Sequence, residues 1–112
     1  MSTYTPGSWV PILIESKEHG KIYKILAGWY GGYLGSDSWK LSSGVEKVIV
    51  SEDGTVLTMP QSSGSTYIVG MHTHVTMLMG SVLADFEKNA EESGLFTIKI
   101  ITVEELLEAF KC

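Results

Sequence analysis

The hydrophobic period of this chain changes at Val75, and this change restricts the folds open to it. From that point, apolar residues recur at the three- and four-residue offsets of one helical face: Val75, Leu78, Met79, Val82, Leu83, Phe86 and Ala90. Polar residues occupy the opposite face: Asp85, Lys88, Asn89 and Glu92. Gly94 is suited to a left-handed helix cap, so the pattern predicts an amphipathic helix that ends there. The remaining chain must supply an apolar surface to cover this helix.

Segments with a two-residue period or β-branched composition surround the helix and predict strands. They cover residues 9–15, 21–29, 45–51, 55–59, 66–70 and 95–101. Asp53-Gly54 is a strong hairpin signal between two of them. Thr102-Val103-Glu104-Glu105 has the form of a capping box and predicts a short last helix that ends at Phe110.

We therefore expect an α+β fold, a bent antiparallel β-meander of about five to six strands packed by one amphipathic helix, with a short C-terminal helix. Residues 1–112 fit a single domain, because one hydrophobic core typically serves about 100 to 150 residues. The composition is 44% hydrophobic and 19% charged, as in ordinary globular proteins. The one cysteine, Cys112, permits no internal disulfide, so packing must hold the fold together.

Acidic charge is concentrated in the C-terminal third. Residues 85–112 carry seven acidic and three basic side chains, and they account for −4 of the total formal charge of −5. The chain has no arginine, so phosphate neutralisation and forked guanine contacts are disfavoured and no nucleic-acid partner is expected. A basic protein is the partner that this charge favours.

No apolar run approaches the roughly 20 residues of a membrane span, and no secretory signal is visible, so a cytoplasmic protein is expected.

The segment 28–44 combines glycines with large aromatic residues. Trp29, Tyr30, Tyr33 and Trp39 lie along it. Tyrosine and tryptophan are frequent anchors of interfaces, so these four residues are the candidate binding set. The alternative is that the tryptophans fill the core while the glycines permit tight turns and bulges.

A second candidate site begins at His72-Thr73-His74. The spacing of His72, His74 and Asp85 resembles the metal-ligand pattern of JAMM-type zinc deubiquitinating peptidases. That resemblance implies a zinc ion on these three side chains and a glutamate as general base. The pattern is incomplete, because Val82 occupies the usual serine position and Val75 that of the usual proline.

The base would have to be Glu46 or Glu52, both on predicted strands rather than on an upstream helix. The competing interpretation is a strand-to-helix junction in which Thr73 caps the helix and the histidines are partly exposed. We accordingly expect no catalytic residue, no metal ligand and no cofactor, and a zinc ion on His72, His74 and Asp85 is the alternative.

The aromatic-glycine segment and one further segment carry a family resemblance. The aromatic-glycine segment 28–34 with residues 37–44, and the segment Ser63-Gly64-Ser65-Thr66-Tyr67, resemble small proteins of tailed bacteriophages and prophages. The resemblance covers about two thirds of the chain. It implies an accessory protein in a bacterial cytoplasm that binds a host protein and inhibits or redirects it.

Three functions follow as expectations. The first is a non-enzymatic interaction module that uses the aromatic segment and the acidic C-terminal third. The second is a small zinc-dependent hydrolase built on His72, His74 and Asp85. The third is a homo-oligomeric structural component, in which an aromatic patch is covered by another copy.

Overall fold

The chain forms eight strands and two helices in a computed structural model that describes residues 2–29 and 38–111. The strands are β1 Thr3–Tyr4, β2 Ser8–Ser16, β3 Gly20–Trp29, β4 Ser38–Leu41, β5 Ile49–Val50, β6 Val56–Pro60, β7 Thr66–Gly70 and β8 Phe96–Ile100. Helix α1 covers Met77–Ser93, between β7 and β8, and helix α2 covers Val103–Ala109.

The strands form two sheets of four. The middle sheet has the order β4-β3-β2-β8, and its strands are all antiparallel. The outer sheet has the order β1-β7-β6-β5, in which β1 pairs with β7 in parallel and the other pairs are antiparallel. Strand β8 thus returns from the C-terminal part of the chain to pair with β2 near its start.

The middle sheet is covered on both faces, as the contacts of β2 show. Alternate residues of this strand point to opposite sides of the sheet. Val10 and Ile12 pack against Met79, Val82 and Leu83 of α1. On the other face, Trp9 and Leu13 belong to a cluster that includes four residues of the outer sheet and one of α2: Leu57, Met59, Tyr67, Val69 and Leu106. The order of layers is therefore α1, middle sheet, then the outer sheet with α2.

The α+β class, the amphipathic helix and the short C-terminal helix are confirmed. The structure differs from a single bent sheet because the chain passes from one sheet to the other after Val45. The amides of Ser42 and Val45 donate to carbonyl oxygens of β3, at 2.9 and 2.7 Å, whereas Glu46 N donates to Pro60 O of β6 at 3.0 Å. The strand predicted at 45–51 is accordingly reduced to β5 and one isolated bridge between Val45 and Gln61.

The helix ends follow local capping chemistry. Thr76, not Thr73, caps α1: its side chain accepts a hydrogen bond from Met79 N at 3.1 Å. Gly94 ends α1 in the left-handed conformation, with φ of 66°, as predicted. The capping box between Thr102 and Glu105 is also present at the start of α2.

The β5–β6 turn is organised around Asp53. Its Oδ1 accepts hydrogen bonds from Ser51 Oγ at 2.7 Å and from Thr55 Oγ1 and N at 2.7 and 3.1 Å. Gly54 follows with φ of +73°, a conformation that favours glycine. The hydrogen bond from Ser51, then those from Thr55, stabilise the carboxylate and lower the pKa of Asp53 from 3.8 to about 2.

We expect the turn to gain stability from Asp53 only while its carboxyl group is ionised. Because the folded-state pKa is the lower one, this contribution is complete above the unfolded pKa of 3.8 and is lost as the pH falls through about 2. A carbon-detected NMR titration of the Asp53 carboxyl group should give a midpoint near 2. The Ser51→Ala variant should move that midpoint upward. A wild-type midpoint at the ordinary aspartate value would contradict the prediction.

Candidate functional site

The structure places the two described aromatic candidates on opposite faces of the middle sheet. Trp39 of β4 pairs with Gly28, which faces α1, and its ring meets Phe86 of α1 edge-on with a centroid separation of 5.8 Å. Trp29 lies on the other face and meets Tyr4 of β1 edge-on, with the centroids 6.2 Å apart.

The two described aromatic candidates differ in exposure and in the face of the sheet on which they lie. Trp39 is 41% exposed, whereas Trp29 is half-buried at the margin of the core between the two sheets. The two rings cannot form one continuous contact patch, because the sheet separates them. Tyr30 and Tyr33 lie outside the described residues. Of the four candidates, Trp39 is thus the described ring that presents substantial surface.

The histidine and aspartate candidates are not brought together. No group of three histidine, cysteine, aspartate or glutamate side chains within residues 2–29 and 38–111 is arranged to hold a metal ion. His72 and His74 are exposed in the segment before α1, where His74 N donates to Trp9 O at 3.0 Å. Asp85 lies on the exposed face of α1. The sequence spacing is therefore not matched by a common site.

Strand β8 forms one edge of the middle sheet, with β2 as its neighbour among the described strands. Ile101 N donates to Pro11 O at 3.1 Å, which continues the register in which Ile12 faces Ile100. Backbone groups alternate in direction along an antiparallel strand, so the N–H and C=O groups of Phe96, Ile98 and Ile100 point away from β2. This open edge is a template for pairing with another extended segment.

Apolar side chains accompany the open edge. Leu95 is 75% exposed immediately before β8, and Ile100 is 48% exposed at its end. An open groove of about 810 Å³ lies beside the start of β8, bordered by the β2–β3 turn and the end of α1. Leu95, Phe96 and Ile98 provide part of its lining. The edge and the groove together form what we term the β8 surface.

Carboxylates surround the β8 surface on both sides. Glu87 and Glu91 of α1 line the groove on one face of the strand. On the other face, a groove of about 490 Å³ is lined by three glutamates of the α2 segment: Glu104, Glu105 and Glu108. Lys17, Lys21 and Lys99 also line these grooves. Glutamates of the acidic C-terminal third therefore line grooves on both faces of the sheet beside β8, and both grooves extend over β2 and β3.

Sequence patterning predicted β8 as a strand and located the acidic charge, but it did not indicate that β8 lies at an edge. Edge position depends on which strands pair, and β8 pairs with a strand more than 80 residues earlier, as in Ile12 with Ile100. The signal that the sequence carries is a predicted strand between two predicted helices that are rich in acidic residues.

No helix in the described part of the chain has the length and apolar character needed to cross a membrane. Comparison of the chain with models of protein families, with curated proteins and with solved structures gave no match.

Proposed function

We propose that the protein is a non-enzymatic interaction module that binds a basic partner protein by pairing an extended segment of that partner with the edge of β8. The observation that carries this proposal is the unpaired edge of β8, with glutamate-lined grooves on both faces of the sheet beside it. Strand addition obtains affinity from main-chain hydrogen bonds and specificity from the side chains that flank the new strand.

The flanking residues define the partner segment. Side chains of an added strand alternate between the two faces of the middle sheet. On the α1 side they would meet Phe96, Ile98 and the carboxylates of Glu87 and Glu91. On the α2 side they would lie near Glu104 and its two neighbouring glutamates. A segment that alternates lysine or arginine with β-branched residues complements both faces.

Charge also favours binding of a foreign basic protein over binding of a second copy of this chain. Pairing of two β8 edges would bring the same acidic borders of both copies together, and like charges in proximity are unfavourable. A basic partner instead reduces the negative field of the C-terminal third. Homo-oligomer formation through β8 is thus the less favoured assembly.

The resemblance to small bacteriophage and prophage proteins supports a cellular setting for this activity. In that setting, the protein would act in a bacterial cytoplasm and bind a host protein, thereby inhibiting or redirecting it. Trp39 would add contact area if the partner extends along α1 toward β4, because its ring packs on Phe86 of that helix.

We expect the Ile100→Pro variant to weaken binding of a basic extended peptide about tenfold. Proline removes the outward-pointing N–H of this position, and it is tolerated on a strand edge whose N–H faces solvent. A lost backbone hydrogen bond and a steric block at the edge account for this magnitude. The probe is a synthetic peptide of about eight residues that alternates lysine with valine, titrated while the β8 amide signals are followed by NMR.

Matched control variants and a control peptide accompany this test. Ile100→Thr keeps the N–H and the β-branched shape, so it should bind nearly as the wild type does. Glu87→Lys with Glu91→Lys should weaken binding, whereas the same charge change at Glu46 and Glu52, away from β8, should not. A peptide with glutamate in place of lysine should not bind. Equal affinity for both peptides, or unchanged binding by Ile100→Pro, would contradict strand addition at β8.

A further inference from the structure

A small polar pocket lies at the opposite edge of the middle sheet from β8. It has a volume of about 330 Å³ and lies where β4 ends beside β3 and where the β6–β7 turn approaches. Tyr67 of β7 forms part of its wall. This side chain is 1% exposed, and its hydroxyl has no hydrogen-bond partner among the described residues. A buried polar atom without a partner is unfavourable, so its presence beside a pocket points to a ligand.

The other residues that line the pocket are cationic or carry hydroxyl groups. Apart from Leu41, they are Tyr4, Lys24, Lys40, Ser42, Ser43, Ser63 and Ser65. Within the described part of the chain, no carboxylate lines this pocket. That composition contrasts with the grooves beside β8, which contain several glutamates. In a chain of net charge −5, the pocket is thus a local concentration of positive charge and hydrogen-bond donors.

The hydroxyl groups are held in place by the surrounding backbone. Ser42 Oγ accepts a hydrogen bond from Ile25 N at 2.8 Å, so its own proton remains available for donation. Ser43 Oγ donates to Ser63 Oγ at 2.9 Å and accepts from Ser63 N at 3.1 Å, which joins the two loops of the pocket. The pocket is therefore formed before any ligand enters.

The aromatic side chains and Lys40 are also mutually supported. The rings of Tyr4 and Tyr67 lie 5.1 Å apart, and Lys40 Nζ is 5.1 Å from the centroid of the Tyr4 ring. Burial, with a further contribution from Tyr4, raises the pKa of Tyr67 to about 12. Its hydroxyl consequently keeps its proton at neutral pH and can donate it.

We propose that this pocket binds a phosphate group, either as inorganic phosphate or as the phosphoryl end of a small phosphomonoester. A doubly charged tetrahedral anion matches two lysines, and its several oxygens can each accept a hydrogen bond from serine or tyrosine hydroxyl groups. A planar carboxylate is best held by a forked arginine, which this chain lacks. The volume is at the lower end of the range for small-molecule sites, so the ligand is small.

This site is independent of the proposed partner binding, because the pocket and the β8 edge lie at opposite sides of the middle sheet. The test is an NMR titration of the whole chain with inorganic phosphate, with glycerol 3-phosphate and with acetate at constant ionic strength. We expect saturable shifts of the Ser43, Ser63 and Gly64 amide signals with the two phosphates and none with acetate. Tighter binding of glycerol 3-phosphate identifies a phosphomonoester, whereas equal or tighter binding of inorganic phosphate identifies the free anion.

Three variants examine the assigned residues. Tyr67→Phe should weaken phosphate binding about fivefold to tenfold, and Lys24→Gln and Lys40→Gln about tenfold each, since each removes a donor to a charged ligand. Lys47→Gln and Lys88→Gln, which make the same charge change elsewhere, should leave the dissociation constant unchanged.

A purely structural role for Tyr67 predicts a different result. In that case, Tyr67→Phe would lower the urea midpoint and leave phosphate affinity unchanged. Because phenylalanine removes an unpaired buried hydroxyl, we expect its stability in phosphate-free buffer to equal or exceed that of the wild type. Non-saturable shifts, shifts equal for acetate, or a Tyr67→Phe variant with wild-type affinity would overturn the proposal.

Discussion

Replacement of Trp9 by alanine is expected to lower the free energy of unfolding by about 3–5 kcal/mol, the usual cost of removing a buried large aromatic side chain. Trp9 is 2% exposed in β2 and belongs to the cluster between the two sheets. Its Nε1 donates to Gly70 O, at the end of β7, at 2.9 Å. The variant therefore loses both core volume and a direct connection between the middle and outer sheets.

The Trp9→Phe variant separates these two contributions. It keeps an aromatic ring in the core but leaves the Gly70 carbonyl without the indole donor, so a smaller loss of about 1–3 kcal/mol is expected. Urea unfolding followed by far-UV circular dichroism measures both variants without relying on tryptophan emission. A loss below about 1 kcal/mol for Trp9→Ala would show that this residue does not support the inter-sheet core.

The second large effect is expected at the contact between α1 and β3. Met79 is fully buried, and replacement by alanine should cost about 2–5 kcal/mol. A Cβ atom at Gly28 would lie 2.6 Å from Met79 Sδ, which is closer than side chains tolerate. Because Met79 is fully buried, its side chain must repack to accept the added methyl group, so Gly28→Ala should cost about 1–3 kcal/mol by overpacking.

The double variant tests whether this contact positions α1 on the middle sheet. In Gly28→Ala with Met79→Ala, the added methyl group enters space that the methionine has left, so the combined loss should be smaller than the two single losses together. We expect a coupling energy of about 0.5–3 kcal/mol from urea unfolding of the four proteins in the cycle. Additive losses would mean that Gly28 and Met79 do not share this space.

Features set by local sequence could be predicted. The apolar period of α1, the glycine at its end and the capping box at Thr102 each depend on residues a few positions apart, and all three are present. The Asp53-Gly54 turn is likewise determined within a few residues. The cap predicted at Thr73 was wrong, because two threonines precede α1, either has the chemistry of a cap, and Thr76 is the one that caps the helix.

Features set by distant pairing could not be predicted in the same way. The unbroken apolar run at residues 9–14 does not reveal which elements cover the two faces of β2, and no local signal indicates that β8 pairs with it. The division into two sheets follows from the crossing near Val45, which depends on hydrogen bonds to β3 and β6 rather than on the residues of the segment itself.

The candidate sites show the same distinction. Composition located the acidic region, yet only the strand order shows that it borders an open edge. The separation of Trp29 from Trp39 follows from their strand register, since neighbouring positions on β3 face opposite sides. The phosphate pocket joins residues 40–43 with residues 63–67, and nothing in either segment alone indicates that Tyr67 has a buried hydroxyl without a partner.

The pairing of β2 with β8 also has a consequence for biosynthesis. Ile12 cannot pair with Ile100 until Ile100 has been translated and has emerged from the ribosome. Until then, the apolar flank of the early hairpin stays open to chaperones and to other nascent chains. Contacts so far apart in sequence also slow folding, because a large loop must close before they form. Strand β8 is translated after the other described strands, and it is thus the strand that completes the middle sheet.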